Sequence, residues 1–439
     1  MNSQSYFTTK NQKIELSKKL GGGGEGEIYE IKNSASNLGF SFNAHQIHQN
    51  TPLELKKFKI KIKEKALQQS IIHYANKSKN FNKENLDFFS AKLLKAPTQK
   101  SFSSPKLKAL EQILHKIEVS QTSTQTIKLV AKIFTFNDDN KTPQEKEQKL
   151  QELEQKLKFM LQNPINDTAI YYPLKLLYDG QRRFKGYLML KANGMMFKDV
   201  FAGHKIKTAF PNITKRDLII IALNWLKKIE ILHAKHILVG DINPKNIMMN
   251  DNYEVFLIDT DSYQMDSFLC KVGFGAFVSK ELLESGAKSK NGKEYYTKTR
   301  DLSDEYYAIA VMIFYILMLG FSPYSHKNED KERENKPEEN TLKGYFPYSV
   351  QKINGGYGDK IPAIKGKKFL EYCWSHLHDE IKLAFYESFD PQGRYYKPKH
   401  RLSPKAWINL LENYQRDLNN LIQKDSLANS VTPSRLRNY

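Results

Sequence analysis

Hydrophobic positions along the chain follow two different periods. Apolar residues alternating with polar ones mark short strands at Ile14–Leu20 and Ile28–Ile31, and a run of glycines, Gly21 to Gly24 and then Gly26, separates them. Thr126–Phe136 reads as a strong strand with Lys132 in its middle. Tyr171–Tyr178 and Phe184–Leu190 read as a hairpin turning at Asp179-Gly180. Helical spacing governs Lys141–Leu161, where Leu150, Leu153, Leu157 and Leu161 fall on one stripe, Pro143 stands near the start and Pro164 just past the end. A long apolar helix is predicted over Asp217–Ala234, and a short apolar strand at Phe256-Leu257-Ile258. Tyr306–Phe321 is apolar almost throughout. It falls short of the roughly 20 residues a membrane span needs, so a buried core helix is the expectation.

One segment breaks this order. Residues 33–126 hold 15 Lys and no Arg against 6 Asp and Glu, with Asn, Ser and Gln between them. This reads as a basic insertion between two strands, with local structure at Leu53–Lys65 and Leu107–Val119. An anionic partner is one reading of it and a solvated basic surface the other, the lack of Arg favouring the second. Over all 439 residues Lys and Arg number 68 and Asp and Glu 48, a net +20 that suits acidic partners without choosing among them. Cys270 and Cys373 are the only cysteines, which excludes a disulfide scaffold or a Cys-rich metal site. Met1–Lys19 lacks the apolar core of a signal peptide, so a cytoplasmic protein is expected, export into another cell staying open. Residues 325–343 read as a charged loop and Ser426–Tyr439 as a polar tail.

Candidate chemistry centres on Val239-Gly240-Asp241-Ile242-Asn243-Pro244-Lys245-Asn246 and on Phe256-Leu257-Ile258-Asp259-Thr260-Asp261. A turn would place Asp241 and Asn246 on one rim, and the strand would deliver Asp259 beside them. Asp241 could deprotonate a hydroxyl, while Asn246 and Asp259 are hard oxygen ligands suited to Mg²⁺. The glycines at 21, 23 and 26 fit a phosphate loop, since backbone N–H groups approach phosphate closely where no Cβ intervenes, and equally a plain hairpin turn. Glu147 and Glu154 share a helix face, so one of them is expected to pair with Lys132; the preference for Glu154 comes from Glu154-Gln155-Lys156-Leu157 before Met160 and Asn163-Pro164, which resembles a pattern of some bacterial kinases. Asp304 or Glu305 caps the apolar helix or holds the loop around Asp241. Arg401 is matched with Glu281 as a buried pair.

In their order and spacing these motifs resemble the protein kinase superfamily, specifically bacterial eukaryotic-like kinases. Asn246 and Asp259 follow Asp241 by five and eighteen residues, and Val130-Ala131-Lys132-Ile133 is similar to the strand whose lysine holds ATP phosphates. The resemblance covers roughly Leu16–Leu411 outside the insertion. It implies an α+β, two-lobed fold: residues 1–190 as a β-rich lobe with insertion 33–126, 191–424 as a helical lobe, and 425–439 as the tail. It further implies ATP and Mg²⁺ as cofactors and a protein Ser/Thr hydroxyl as acceptor. Asp241 is then the catalytic base, Lys132 the phosphate ligand, Gly21, Gly23 and Gly26 the phosphate cover, Leu190 and Ala192 the adenine-facing hinge, and Asn246 and Asp259 the metal ligands. The chain departs from the pattern where His-Arg is usual, at Val239-Gly240, and has Asn243 for the usual Lys, Phe274 for Thr and Asp261 for Gly. Lys245 is then expected to reach the γ-phosphate. A nucleotide-binding scaffold without transfer and a small-molecule phosphotransferase are the competing functions.

Overall fold

A computed structural model describes residues 5–33, 36–39, 128–136, 142–201, 205–288, 294–325, 336–353, 356–360, 370, 373–424 and 431. Six strands close into a barrel in the order β1-β2-β3-β4-β6-β5: β1 Ser5–Thr8, β2 Lys13–Gly22, β3 Gly26–Ile31, β4 Leu129–Phe134, β5 Lys175–Tyr178 and β6 Phe184–Leu190. Every pairing is antiparallel. The insertion 33–126 lies outside the described residues except 36–39, where Leu38 is buried in the barrel.

Strand β4 is buried on both faces, and its period of two sorts its residues. Leu129, Ala131 and Ile133 fill the barrel with Ile14, Leu177 and Leu188. Val130 and Phe134 point the other way, into the core shared with the helices. Lys132 therefore leaves the barrel on that second face. It sits opposite Ile28 of β3 and Tyr187 of β6.

Against that outer face packs helix α1, Pro143–Gln162. Thr142 starts it with a capping box: its side chain accepts from Glu145 N while the Glu145 carboxylate accepts from Thr142 N. Leu153, Lys156, Leu157 and Met160 form the buried stripe. The remaining described structure is mainly helical. Helix α2, Lys215–His233, leads into the Asp241 loop, and a small sheet of β7 Met195–Met196, β8 Ile247–Met249 and β9 Val255–Leu257 carries that loop's far end.

The apolar run became helix α3, Leu302–Leu317, buried from Tyr307 to Leu317. Among the described residues no helix is long and apolar enough to cross a membrane. Burying a large apolar side chain is worth roughly 1.5–3 kcal/mol, so the buried run Tyr307–Leu317 contributes strongly to the main core. Part of the charged stretch 325–343 corrects the loop expectation: Pro337–Lys343 is a helix, started by Pro337 and closed by Gly344 in the left-handed region. Two later helices, α4 Asp379–Phe389 and α5 Pro404–Lys424, close the core. The polar tail falls outside the described residues apart from Val431, which is buried.

Candidate active site

A backbone hydrogen bond ties the two sequence motifs together, and side-chain bonds tighten the first of them. Ile258 N donates to Asn246 O at 3.0 Å, and Asn246 Nδ2 donates both to Asp241 O at 3.0 Å and to Asp241 Oδ2 at 3.2 Å. Phe274 N donates to the other carboxylate oxygen, Asp241 Oδ1, at 3.0 Å. Asp241 is thus fixed at both oxygens. Asn243 is a staple rather than a substrate-facing group: it is buried, its Oδ1 accepts from Lys245 N at 2.8 Å and its Nδ2 donates to Asp241 O at 3.1 Å. Lys245 is exposed and lies over the Phe274 ring, 4.8 Å from its centre.

The loop backbone hangs from α3. Glu305, 1 % exposed, accepts from Val239 N and Gly240 N, each at 2.9 Å, and stands 2.9 Å from His233 Nε2. Asp304 does the other job left open by the sequence. It completes the capping box with Asp301 and accepts from Ser279 Oγ at 2.6 Å. Gly240 has φ +73°, and a Cβ there would lie 2.7 Å from Cys270 Sγ. Glycine is required at 240 for both reasons.

Arg300 fills the adjoining space. Its side chain is buried, Nε lies 3.8 Å from that Cβ position, and an η-nitrogen donates to Val272 O at 2.8 Å. The guanidinium props the segment after Cys270 through a main-chain carbonyl. Further along, Arg401 pairs with Glu281 at 2.6 Å, as expected.

Asp259 sits in the left-handed region at φ 62°, a conformation Asp tolerates better than most residues. From β4, Lys132 Nζ reaches both Asp259 Oδ1 and the Asp261 carboxylate, the latter at 2.7 and 2.9 Å. Tyr187 OH donates to Asp261 Oδ1 at 2.7 Å. Burial pulls the Lys132 pKa down, but the charges of Asp259 and Asp261 overcome it and raise it above the usual lysine value. The two acids diverge. Burial opposes ionisation of Asp261, yet Lys132 and the hydrogen bonds from Lys132 and Tyr187 hold its carboxyl below the usual range. Burial raises Asp259, with the Asp261 charge adding to it against Lys132.

The expected Lys132–Glu154 pair is a correction. Glu154 accepts from Tyr178 OH at 2.9 Å and pairs with Lys158 at 2.7 Å. The reason is helical phase: the stripe that packs inward is 153, 156, 157 and 160, and Glu154 is turned out of it toward β5. Lys156 takes the inward position, and its Nζ donates to Asp261 O at 2.6 Å. Asp261, Lys156 and Tyr187 were missed as site residues. Lys156 had one signal, its place beside Leu153 and Leu157 on the stripe.

The glycine loop is a tight turn in which Gly23 N donates to Gly26 O at 2.9 Å, with Gly21 paired to Ile28. A Cβ at Gly26 would stand 2.6 Å from Ile133 O, so strand packing alone requires that glycine. Nothing lies within 4 Å of a Cβ at Gly21 or Gly23. Glu25 at the tip pairs with Lys149 of α1. Leu190 ends β6 opposite Leu129, and half-buried Ala192 packs on the main core just beyond.

The chain matches no protein-family model. It is similar to the Protein kinase YegI of Escherichia coli (strain K12), 23% identical over 259 residues, which is 58% of this chain and 37% of that protein. It is likewise similar to the Protein kinase YegI of Escherichia coli O157:H7, 24% identical over 255 residues, 57% of this chain and again 37% of the relative. The matched stretch is thus well under half the length of these relatives.

Proposed function

We propose that this chain is a two-lobed, kinase-like enzyme that transfers the γ-phosphoryl group of ATP, with Mg²⁺, to Ser or Thr hydroxyls of proteins. One observation carries the reading: Lys132 from the barrel touches Asp259, and the Asp259 strand is hydrogen-bonded to the loop bearing Asp241 and Asn246. The similarity to two proteins named as protein kinases supports it.

The donor set suits a metal that arrives with its nucleotide. Mg²⁺ is usually held by one or two protein oxygens plus phosphates. Among the described residues no three His, Cys, Asp or Glu side chains form a metal cage of their own. Asn246 uses its Nδ2 on Asp241, which leaves Oδ1 for a cation, and Asp259 is the more exposed of the two acids around Lys132. When bound, MgATP supplies the transferable phosphoryl group and the cation that offsets its charge. The protein does the rest. Asp241, steadied by Phe274 N and Asn246, orients the acceptor hydroxyl and takes its proton. Lys132 would offer its ammonium to the phosphates, the backbone around Gly21, Gly23 and Gly26 would cover them, and the backbone at Leu190 and Ala192 would meet the adenine. Lys245, exposed beside Phe274, would reach the γ-phosphate.

Because Arg300 braces the Cys270–Phe274 segment through a carbonyl, no phosphate is needed there. Protein shown by mass spectrometry to be unmodified between Asp259 and Glu281 is expected to transfer label from γ-labelled ATP to casein. Label confined to small metabolites would point instead to a small-molecule phosphotransferase, and ATP binding without any transfer to a scaffold.

A further inference from the structure

We propose that Asp261 is the fixed anchor that positions Lys132, and that this frees Asp259 to turn toward a metal-bound phosphate. The two acids meet the same ammonium in unequal ways. Asp261 engages Nζ with both oxygens, at 2.7 and 2.9 Å, and also accepts from Tyr187 OH at 2.7 Å. Asp259 engages it with one oxygen. The side chain of Asp261 is 3% exposed and that of Asp259 38%. One is enclosed and fully committed; the other is partly open, next in the chain to Ile258, whose N–H donates to Asn246 O.

Asp261 is also held from behind. It lies in the 3₁₀ turn Thr260–Ser262, its carbonyl accepts from Lys156 Nζ at 2.6 Å, and Thr260 Oγ1 donates to Tyr171 O at 3.0 Å. Buried charge pairs persist only where such additional hydrogen bonds satisfy both partners.

Helix α1 cannot do this work. Of its acids, Glu145 is spent in the capping box, Glu147 and Glu152 are exposed, and Glu154 is held by Tyr178 and Lys158. What α1 turns inward is cationic: Lys149 to Glu25 of the glycine loop and Lys156 to the Asp261 carbonyl. The sequence placed the carboxylate that meets Lys132 on this helix, at Glu154; the structure places it on the loop. The carboxylate has moved to the loop and a lysine stands on the helix, so the direction of Lys132 is set by the loop that also carries Asp259. An acid at 156 beside an intact Asp261 would place like charges together.

This inference deepens the phosphoryl-transfer reading, and only its kinetic arm rests on that reading. In the first arm, Asp261→Asn is expected to lower kcat/KM for ATP by about 100-fold with casein as acceptor. Adding Lys156→Glu, which puts a carboxylate on the helix position whose amine meets the Asp261 carbonyl, is expected to recover about tenfold, whereas Lys156→Gln recovers nothing. An Asp261→Asn enzyme within about threefold of wild type would overturn the proposal. The second arm needs no activity and no Asp261 variant. Lys132 in the nucleotide-free full chain is acetylated with a sulfosuccinimidyl acetate reagent and quantified by mass spectrometry. Asp259→Asn is expected to leave Lys132 as protected as in wild type. A rise of about tenfold or more in Asp259→Asn would show that Asp259 is the anchor and overturn the assignment. A chain that transfers no phosphate yet keeps Lys132 protected in Asp259→Asn would refute the enzymatic reading and leave this one standing.

Discussion

Asp241→Asn is expected to reduce kcat by about 1,000-fold while ATP affinity stays within about threefold. The substitution is isosteric, so one oxygen remains to accept from Phe274 N or Asn246 Nδ2, and the loop keeps its shape. What goes is the carboxylate proposed to accept the acceptor's proton, a contribution typically worth 10²–10⁴-fold. Steady-state transfer of label to casein, set beside ATP titration calorimetry on the same protein, separates the two effects. A variant with undiminished kcat would remove Asp241 from the chemistry.

The largest stability effect is expected from Glu305→Ala. Glu305 is buried and accepts from two backbone N–H groups, with His233 against the same carboxylate. Its removal orphans both donors, each costing about 1–3 kcal/mol. At about 2–4 °C per kcal/mol in a domain of this size, the melting temperature should fall by on the order of 10 °C. Activity should fall too, because Val239 and Gly240 set the path of the backbone into Asp241. Exposed Glu147→Ala is the matched control and should stay within about 0.5 kcal/mol of wild type. Equal melting temperatures for the two variants would contradict the role given to Glu305.

These two residues show what could be read from the sequence and what could not. The spacing of Asp241, Asn246 and Asp259 is local information, and the Ile258–Asn246 hydrogen bond joins the two motifs that carry them. The alternation in β4 likewise determined which way Lys132 leaves the barrel. The choice between Asp304 and Glu305 was not legible, because adjacent residues on a helix differ by about 100° and only the packed neighbours show which one faces the loop. Glu154 failed for the same reason. Pairing by position along the chain ignored the phase set by Leu153, Leu157 and Met160.

Departures from the kinase pattern were legible as departures but not as compensations. Gly240 reads as a missing arginine until Cys270 Sγ is found 2.7 Å from where its Cβ would go, with Arg300 Nε 3.8 Å away. Asn243 reads as a missing lysine until its side chain is seen closing the turn onto Asp241 O and Lys245 N. Asp261 reads as a missing glycine until its carboxylate is found on Lys132. In each case the replacing contact comes from a residue distant in sequence or from the backbone, and neither is encoded in motif spacing.

A magnesium nucleotide held between Lys132, Asp259 and Asn246 is the central proposal, and ATP binding by titration calorimetry with and without Mg²⁺ tests it most directly. Wild type should bind ATP more tightly by about tenfold or more when Mg²⁺ is present, and Asp259→Asn should abolish that difference. ATP binding that ignores Mg²⁺ in the wild-type protein, or a magnesium effect that survives in Asp259→Asn, would contradict it.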